Sequence, residues 1–167
     1  GDTPLSTVPT NGTALIFLGQ DWAMTFSGHT SGLRDVVIAD RSTHPPANNP
    51  AGAAGGIRVL ADNRLVESVK MNNVLLNNFL DGTSFQLSAV NAGGIAYCAF
   101  HSIRIRHGKV GFHIHEGDSS FTNSNRFYDG AVSGGGNAAG GLGFEYGLLV
   151  EGGNNNIFSG MVIEPGT

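Results

Sequence analysis

The residues best suited to catalysis or ligand binding lie at the end of one short stretch in which apolar and polar residues alternate. Two histidines one residue apart, His113 and His115, are followed by Glu116 and Asp118. Alternate side chains of a strand point to one face, so the two imidazoles are predicted to lie side by side. Such a pair could transfer protons or ligate a metal ion. Because a third and a fourth ligand have to be assumed, we predict no metal site and no cofactor.

Carboxylates are the second group of candidates. Glycoside hydrolysis needs two carboxyl groups, about 5–5.5 Å apart for retention or 6.5–9.5 Å for inversion. The predicted catalytic residues are Glu116, Glu151, Asp118 and Asp129. The alternative is that these are ordinary solvated carboxylates, as most surface Asp and Glu are.

Two other arrangements stay open. A polysaccharide lyase needs a base and a cation that neutralises an acidic sugar, and Arg104, Arg106 and Lys109 with His113 would supply them. The sequence also predicts that His101 lies over Asp129, either as an acid–base pair or as a structural contact on the surface.

These residues sit in a repeating pattern of short strands. In the stretch 102–117, isoleucine or phenylalanine alternates with arginine or histidine, which is typical of half-buried strands. The stretch holds two strands joined at 107–108: the first strand contains Ile103 and Ile105, and the second strand contains Phe112 and Ile114. Weak copies of the stretch recur at intervals of about 28 to 30 residues. Fixed-period copies of short apolar strands with Gly and Asn turns indicate a β-solenoid.

Superposing the copies predicts which side chains stack from coil to coil. The inward columns are Val36/Val74/Ile103/Ala131/Met161 and Ile57/Phe85/Phe112/Leu148. The outward columns of the second strand are Arg58/Gln86/His113/Leu149 and Leu60/Ser88/His115/Glu151. We predict that Arg58, Gln86, His113 and His115 bind substrate. Asn125 and Asn155 are expected at equivalent turn positions, where stacked amides could hydrogen-bond between coils.

The predicted fold is all-β: a right-handed parallel β-helix with three short strands per coil and about five coils. Residues 1–30 form a lead-in segment, and residues 31–167 form the β-helix domain. We expect that domain to be incomplete, because the sequence shows no evident caps. Only 13% of the residues are charged and 26 are glycine, a poor composition for helices. The net charge of −4 argues against binding to nucleic acid, and no apolar run is long enough for a membrane span.

The stretches 121–134 and 153–165 resemble coils of right-handed parallel β-helix proteins. In particular, the Gly-Gly-Asn-Asn-Asn-Ile-Phe-Ser-Gly run at 152–160 is similar to bacteriophage tailspikes with the pectin-lyase-like fold. The resemblance implies a homotrimeric protein of the virion tail, here a fragment, that binds bacterial surface polysaccharide. It carries over no catalytic residues.

Three function classes therefore remain open. The first is a tailspike-type receptor-binding protein that binds, and as a depolymerase cleaves, surface polysaccharide. The second is a non-enzymatic structural or adhesin β-solenoid, and the third is a secreted bacterial lyase or hydrolase. Whether the chain is an enzyme is left undecided.

The outward column of the first strand predicts how the chain assembles. It contains Val37, Leu75, Arg104, Val132 and Val162, four of which are apolar. An exposed apolar strip usually marks a protein interface, and three chains around one axis would bury it. The alternative is that the inserted loop 41–56 covers the strip.

Overall fold

The computed structural model describes residues 13–18, 20–21, 32–39, 55–134 and 144–164. Their regular structure consists of strands: β1 (Thr13–Leu18), β2 (Gln20–Asp21), β3 (Gly32–Ala39), β4 (Gly55–Asp62), β5 (Arg64–Glu67), β6 (Lys70–Val90), β7 (Gly94–Ala96), β8 (Ala99–Glu116), β9 (Phe121–Asn123), β10 (Arg126–Tyr128), β11 (Ala131–Ser133), β12 (Tyr146–Glu151), β13 (Ile157–Ser159) and β14 (Val162–Ile163). In these ranges there is no helix that could span a membrane.

The strands stack in parallel, one turn of the chain above the next. The larger sheet joins β4 to β6, β6 to β8, and β8 to β10, β11 and β12. Each pairing places one turn of the chain directly above the preceding turn, so the strands form a β-solenoid of about three turns. The sequence predicted about five coils, because it counted every copy of the first strand as a whole coil.

A second, smaller sheet adds a short strand to each turn. It contains β2, β5, β7 and β9, and its β5–β7 and β7–β9 pairs are parallel. The β2–β5 pair is antiparallel. In the larger sheet, β1 pairs in parallel with β4, so a strand from the predicted lead-in segment also belongs to the stack.

The predicted inward column of the second strand is confirmed. Ile57 pairs with Phe85, Phe85 with Phe112, and Phe112 with Leu148. Phe85 and Phe112 are fully buried, and their ring centroids are 5.7 Å apart. Because the rings meet those of Phe127 at 6.1 and 5.8 Å, the column packs against the opposite wall of the solenoid.

The predicted inward column of the first strand is right at one end and wrong by one residue at β11. Val36, Val74 and Ile103 stack as expected. However, Ala131 pairs with Arg104 on the outward side, and Val132 pairs with Ile105 in the core. A one-residue slip moves every side chain of a strand to the other face. Gly130 therefore takes the predicted place of Ala131, with the side chain of Met161 packed against it.

Single residues with left-handed backbone form the corners of the solenoid. One corner column contains Asp35, Asn73, Ser102 and Asp129, with φ between 52° and 54°, and continues to Gly160. Asn, Asp and Gly are the residues that adopt this conformation most readily. At the first corner, Asn73 Nδ2 donates a hydrogen bond to Asp35 Oδ1 at 2.8 Å.

An asparagine ladder exists, but its members differ from the predicted pair. Asn155 lies at a left-handed corner with φ of 55°. It is Asn156 whose Oδ1 accepts a 3.1 Å hydrogen bond from Nδ2 of the fully buried Asn125. Asn125 Oδ1 also accepts from the Cys98 backbone N–H, and Nδ2 contacts the Ile95 carbonyl. The ladder thus satisfies backbone groups inside the solenoid.

Candidate functional site

The outward columns of β4, β6, β8 and β12 form the candidate site. Arg58 pairs with Gln86, Gln86 with His113, and His113 with Leu149, as predicted. In the next column, the register joins Leu60, Ser88, His115 and Glu151. The uninterrupted alternation of these strands fixes the order. Polar side chains from successive turns therefore lie about 4.8 Å apart, the spacing of paired strands.

A hydrogen-bonded row runs through Gln86, His113 and Glu151. His113 Nε2 lies 2.7 Å from Glu151 Oε2, and Gln86 Nε2 lies 3.1 Å from His113 Nδ1. A carboxylate only accepts hydrogen bonds, so Nε2 of His113 donates to Glu151. When Nδ1 carries no proton, it accepts from the Gln86 amide. The amide and the carboxylate together fix the orientation of the imidazole.

Glu151 also faces the second histidine of the pair. His115 Nδ1 lies 3.5 Å from Glu151 Oε2, and the two imidazole centroids are 5.8 Å apart. The hydrogen bond from His113 is the main reason that the pKa of Glu151 is lowered, and His115 contributes in the same direction. The carboxylate is therefore ionised where a substrate proton, a cation or a sugar hydroxyl could meet it.

The row passes from a covered end to an open end. The His113 side chain is 14% exposed, that of His115 36% and that of Glu151 51%. At the covered end of the row, Arg58 Nη2 donates a 3.1 Å hydrogen bond to Ser88 Oγ. The cluster thus combines a guanidinium group, an amide, two imidazoles and one carboxylate on a rigid sheet.

Glu116 is placed on the other face of its strand. It follows His115 in the chain, so its side chain points the opposite way. Its Oε2 accepts hydrogen bonds from the Thr122 backbone N–H at 2.9 Å and from Thr122 Oγ1 at 3.2 Å. These bonds tie the end of β8 to β9, and the structure does not bring Glu116 and Glu151 together as a carboxylate pair.

The two predicted aspartates lie outside the row. Asp118 is exposed in the turn between β8 and β9, where its carbonyl accepts a hydrogen bond from Ser120 Oγ. Asp129 is exposed at a left-handed corner. The predicted stacking of His101 over Asp129 is wrong, because the register pairs His101 with Tyr128. Their rings lie 4.8 Å apart, tilted by 32°.

Two residues make contacts that the sequence did not predict. Ser88 is fully buried, and its Oγ accepts a hydrogen bond from Arg58; a serine between Leu60 and His115 is a polar break in that column. Tyr128 was missed because the one-residue slip put Asp129 in its place.

Comparison of the chain with protein-family profiles, curated proteins and solved structures gave no match.

Proposed function

We propose that this β-solenoid binds a bacterial surface polysaccharide as a tailspike-type receptor-binding protein. The observation that carries the proposal is the row of Gln86, His113 and Glu151, which Arg58 extends on the preceding turn. All four residues are held in register on successive turns. Guanidinium, amide, imidazole and carboxylate groups hydrogen-bond well to sugar hydroxyl and carboxylate groups. Because the sheet is already rigid, the protein itself loses little conformational entropy when a polymer binds to it.

For cleavage, we propose elimination by the hydrogen-bonded pair His113–Glu151. Of the four predicted catalytic carboxylates, Glu151 is the one in the row, whereas hydrolysis requires two. Elimination from a uronic sugar needs a cation beside its carboxylate, a base for the proton α to that carboxylate, and a proton for the departing glycosidic oxygen. Arg58 is a cation of the same column. Glu151 accepts from His113 Nε2, so His113 Nδ1 is the basic nitrogen once the Gln86 amide turns to the sugar; it takes the α proton and returns it to the glycosidic oxygen as the C4–O bond breaks. A polysaccharide containing uronic acid is therefore the proposed substrate.

Assembly as a homotrimer belongs to the same proposal. The corrected outward column of the first strand contains Val37, Leu75, Arg104, Ala131 and Val162. It keeps four apolar residues out of five, and Val37 and Val162 are 67% and 54% exposed. Exposed apolar strips are usually buried in closed oligomers. The proposed location is the virion tail, with a secreted bacterial protein as the alternative.

The test is incubation of the protein with a panel of capsular and O-antigen polysaccharides. Binding is measured by calorimetry, and cleavage by the ultraviolet absorption of an unsaturated uronate end. Arg58→Ala and Gln86→Ala are expected to weaken binding, and Glu151→Gln to lower cleavage far more than binding. Arg126→Ala is the matched control, because Arg126 is exposed in β10 and outside the row.

The outcomes separate the function classes. Binding without cleavage across the panel would support an adhesin and contradict the elimination step. Saturated reducing ends would indicate hydrolysis. If no polysaccharide binds, or if Arg126→Ala weakens binding as much as Arg58→Ala does, the row is not the binding site.

A further inference from the structure

We infer that His113, His115 and Glu151 form a binding site for one divalent transition metal ion of the zinc type. One ligand atom from each residue lies within 4.8 Å of the other two. Among the residues that the structure describes, this is the one group of three such side chains close enough to share an ion. Two imidazoles and one carboxylate are the ligands of many catalytic zinc sites, which keep a fourth position for water or substrate.

The separations suit a tetrahedral ion after small side-chain movements. Zinc–ligand bonds of about 2.0–2.2 Å place neighbouring ligand atoms roughly 3.3 Å apart. His115 Nδ1 and Glu151 Oε2 are already 3.5 Å apart, whereas His113 Nε2 and Glu151 Oε2 are at hydrogen-bond distance, 2.7 Å. Glu151 must therefore move away from His113 by about 0.6 Å, and the two imidazole nitrogens, which lie within 4.8 Å of each other, must approach by up to about 1.5 Å. Glu151 is half-exposed and His115 is 36% exposed, so both side chains have room to move. The strands need not shift, because β8 and β12 hold the three Cα positions in register.

An unsatisfied atom points independently to a missing ligand. His115 Nδ1 is buried and makes no hydrogen bond with any residue of the described ranges, although Glu151 Oε2 lies 3.5 Å away, at ion-pair distance. A metal ion between Nδ1 and the Glu151 carboxylate would give this nitrogen a ligand bond.

Gln86 supplies the outer-shell contact that metal-bound histidines require. Without metal, Gln86 Nε2 donates to His113 Nδ1, and His113 Nε2 donates to Glu151. When Nε2 binds a metal ion it carries no proton, so Nδ1 must donate instead. Rotation of the Gln86 amide by half a turn presents its carbonyl oxygen to that N–H. Outer-shell partners of this kind set the ring orientation and typically change metal affinity 10–100-fold.

The ligand set also predicts which ions are rejected. Ca²⁺ takes six to eight oxygen ligands, and Mg²⁺ prefers an octahedral set of oxygens and waters. Imidazole nitrogens favour zinc, copper, nickel and iron. The site should therefore bind Zn²⁺ and Co²⁺ and ignore Ca²⁺.

The test is titration of chelator-treated full-length protein with Zn²⁺ by calorimetry, and with Co²⁺ by visible absorption. We expect one ion per chain, a Co²⁺ spectrum of a four- or five-coordinate site, and no competition from Ca²⁺. His115→Ala and Glu151→Gln should each weaken Zn²⁺ binding by more than about 100-fold, since losing a ligand costs more than losing an outer-shell partner. Gln86→Ala should weaken it by about 10–100-fold.

His101→Ala is the matched control, because His101 stacks on Tyr128 outside the cluster. Circular dichroism of each variant checks folding, and the Co²⁺ spectrum of the wild type remains informative even where a variant is unstable. The inference is overturned if the wild type shows no saturable binding at one ion per chain, or if His115→Ala binds as tightly as His101→Ala.

This inference does not rest on polysaccharide binding. A bound ion would take His113 and Glu151 out of the proposed base role, so Zn²⁺ binding is measured without glycan, and glycan binding and cleavage are measured in chelator. Failure of one experiment therefore leaves the result of the other intact.

Discussion

Ala131 and Val132 are neighbours on opposite faces of β11, and an aspartate at each position should have very different effects. Val132 is fully buried between Ile105 and Ile163. Ala131 is half-buried on the outward side, next to Arg104. Because the two positions differ by one residue, the pair of substitutions measures the register of the strand directly.

The expected cost of Val132→Asp follows from two contributions. An unpaired carboxylate taken out of water costs several kcal/mol, and the lost burial of the valine side chain adds roughly 1.5–3 kcal/mol. The sum approaches the whole stability of a typical domain, about 5–15 kcal/mol. Ala131→Asp should change the stability by no more than about 0.5 kcal/mol, since its carboxylate is outward and lies opposite a guanidinium group.

The assay is urea unfolding of both variants, followed by circular dichroism. Val132→Thr is the control, because it keeps the shape of valine and adds a hydroxyl without charge, at about 1–3 kcal/mol. The reasoning is refuted if Val132→Asp is within about 0.5 kcal/mol of the wild type while Ala131→Asp is severely destabilised. Solution mass by light scattering separates assembly from register. Ala131→Asp lies in the proposed interface strip, so it should lower the mass from three chains to one, and its stability is compared with that of the wild type at concentrations where both are monomeric.

Three further predictions concern the core. Phe112→Ala should cost roughly 3–5 kcal/mol in urea unfolding, as for other fully buried aromatic residues, and a loss below about 0.5 kcal/mol would contradict its placement. Asn125→Ala should cost about 2–4 kcal/mol, because it leaves buried backbone groups without partners; Asn155→Gly, at an exposed left-handed corner, should be nearly neutral, and equal losses would refute the ladder. Burial raises the pKa of the Cys98 thiol to about 12, so a thiol reagent should label native protein roughly 10³-fold more slowly than an unperturbed cysteine; equally fast labelling before and after unfolding in urea would show that the thiol is accessible.

The second strand of each turn could be predicted from sequence because its inward apolar residues recur at every second position. In the second strand, Ile57, Phe85, Phe112 and Leu148 are each followed two residues later by another apolar residue. A register error would expose the whole set, so the pattern permits one alignment. The same alignment predicts the order of residues in the two outward columns of the candidate site, and the strand register confirms it.

The short strands could not be aligned in this way. β11 contains three residues, Ala131 to Ser133, and their small side chains suit either face. In this turn the corner falls one residue earlier than the repeat suggests, and a left-handed Asp129 gives no stronger signal than any other aspartate. The asparagine ladder is also displaced by one residue, because the left-handed corner at Ser124 stacks with the corner at Asn155 and Asn125 therefore lies level with Asn156. For the candidate site, sequence could give the column but not the 2.7 Å contact that joins His113 to Glu151.

The stacking of successive turns has a consequence for the order in which the protein opens. Strands β6 and β8 each have parallel neighbours on both sides, whereas along its whole length β12 pairs, among the described strands, with β8 alone. Amide hydrogen exchange should therefore be slowest in the middle of the stack and fastest towards its last strands, as fraying proceeds from the ends of a linear array. The candidate site crosses this boundary, with two histidines on β8 and its carboxylate on β12. Any ligand that bridges them would slow exchange in β12, which makes the amides of residues 146–151 a direct reporter of occupancy.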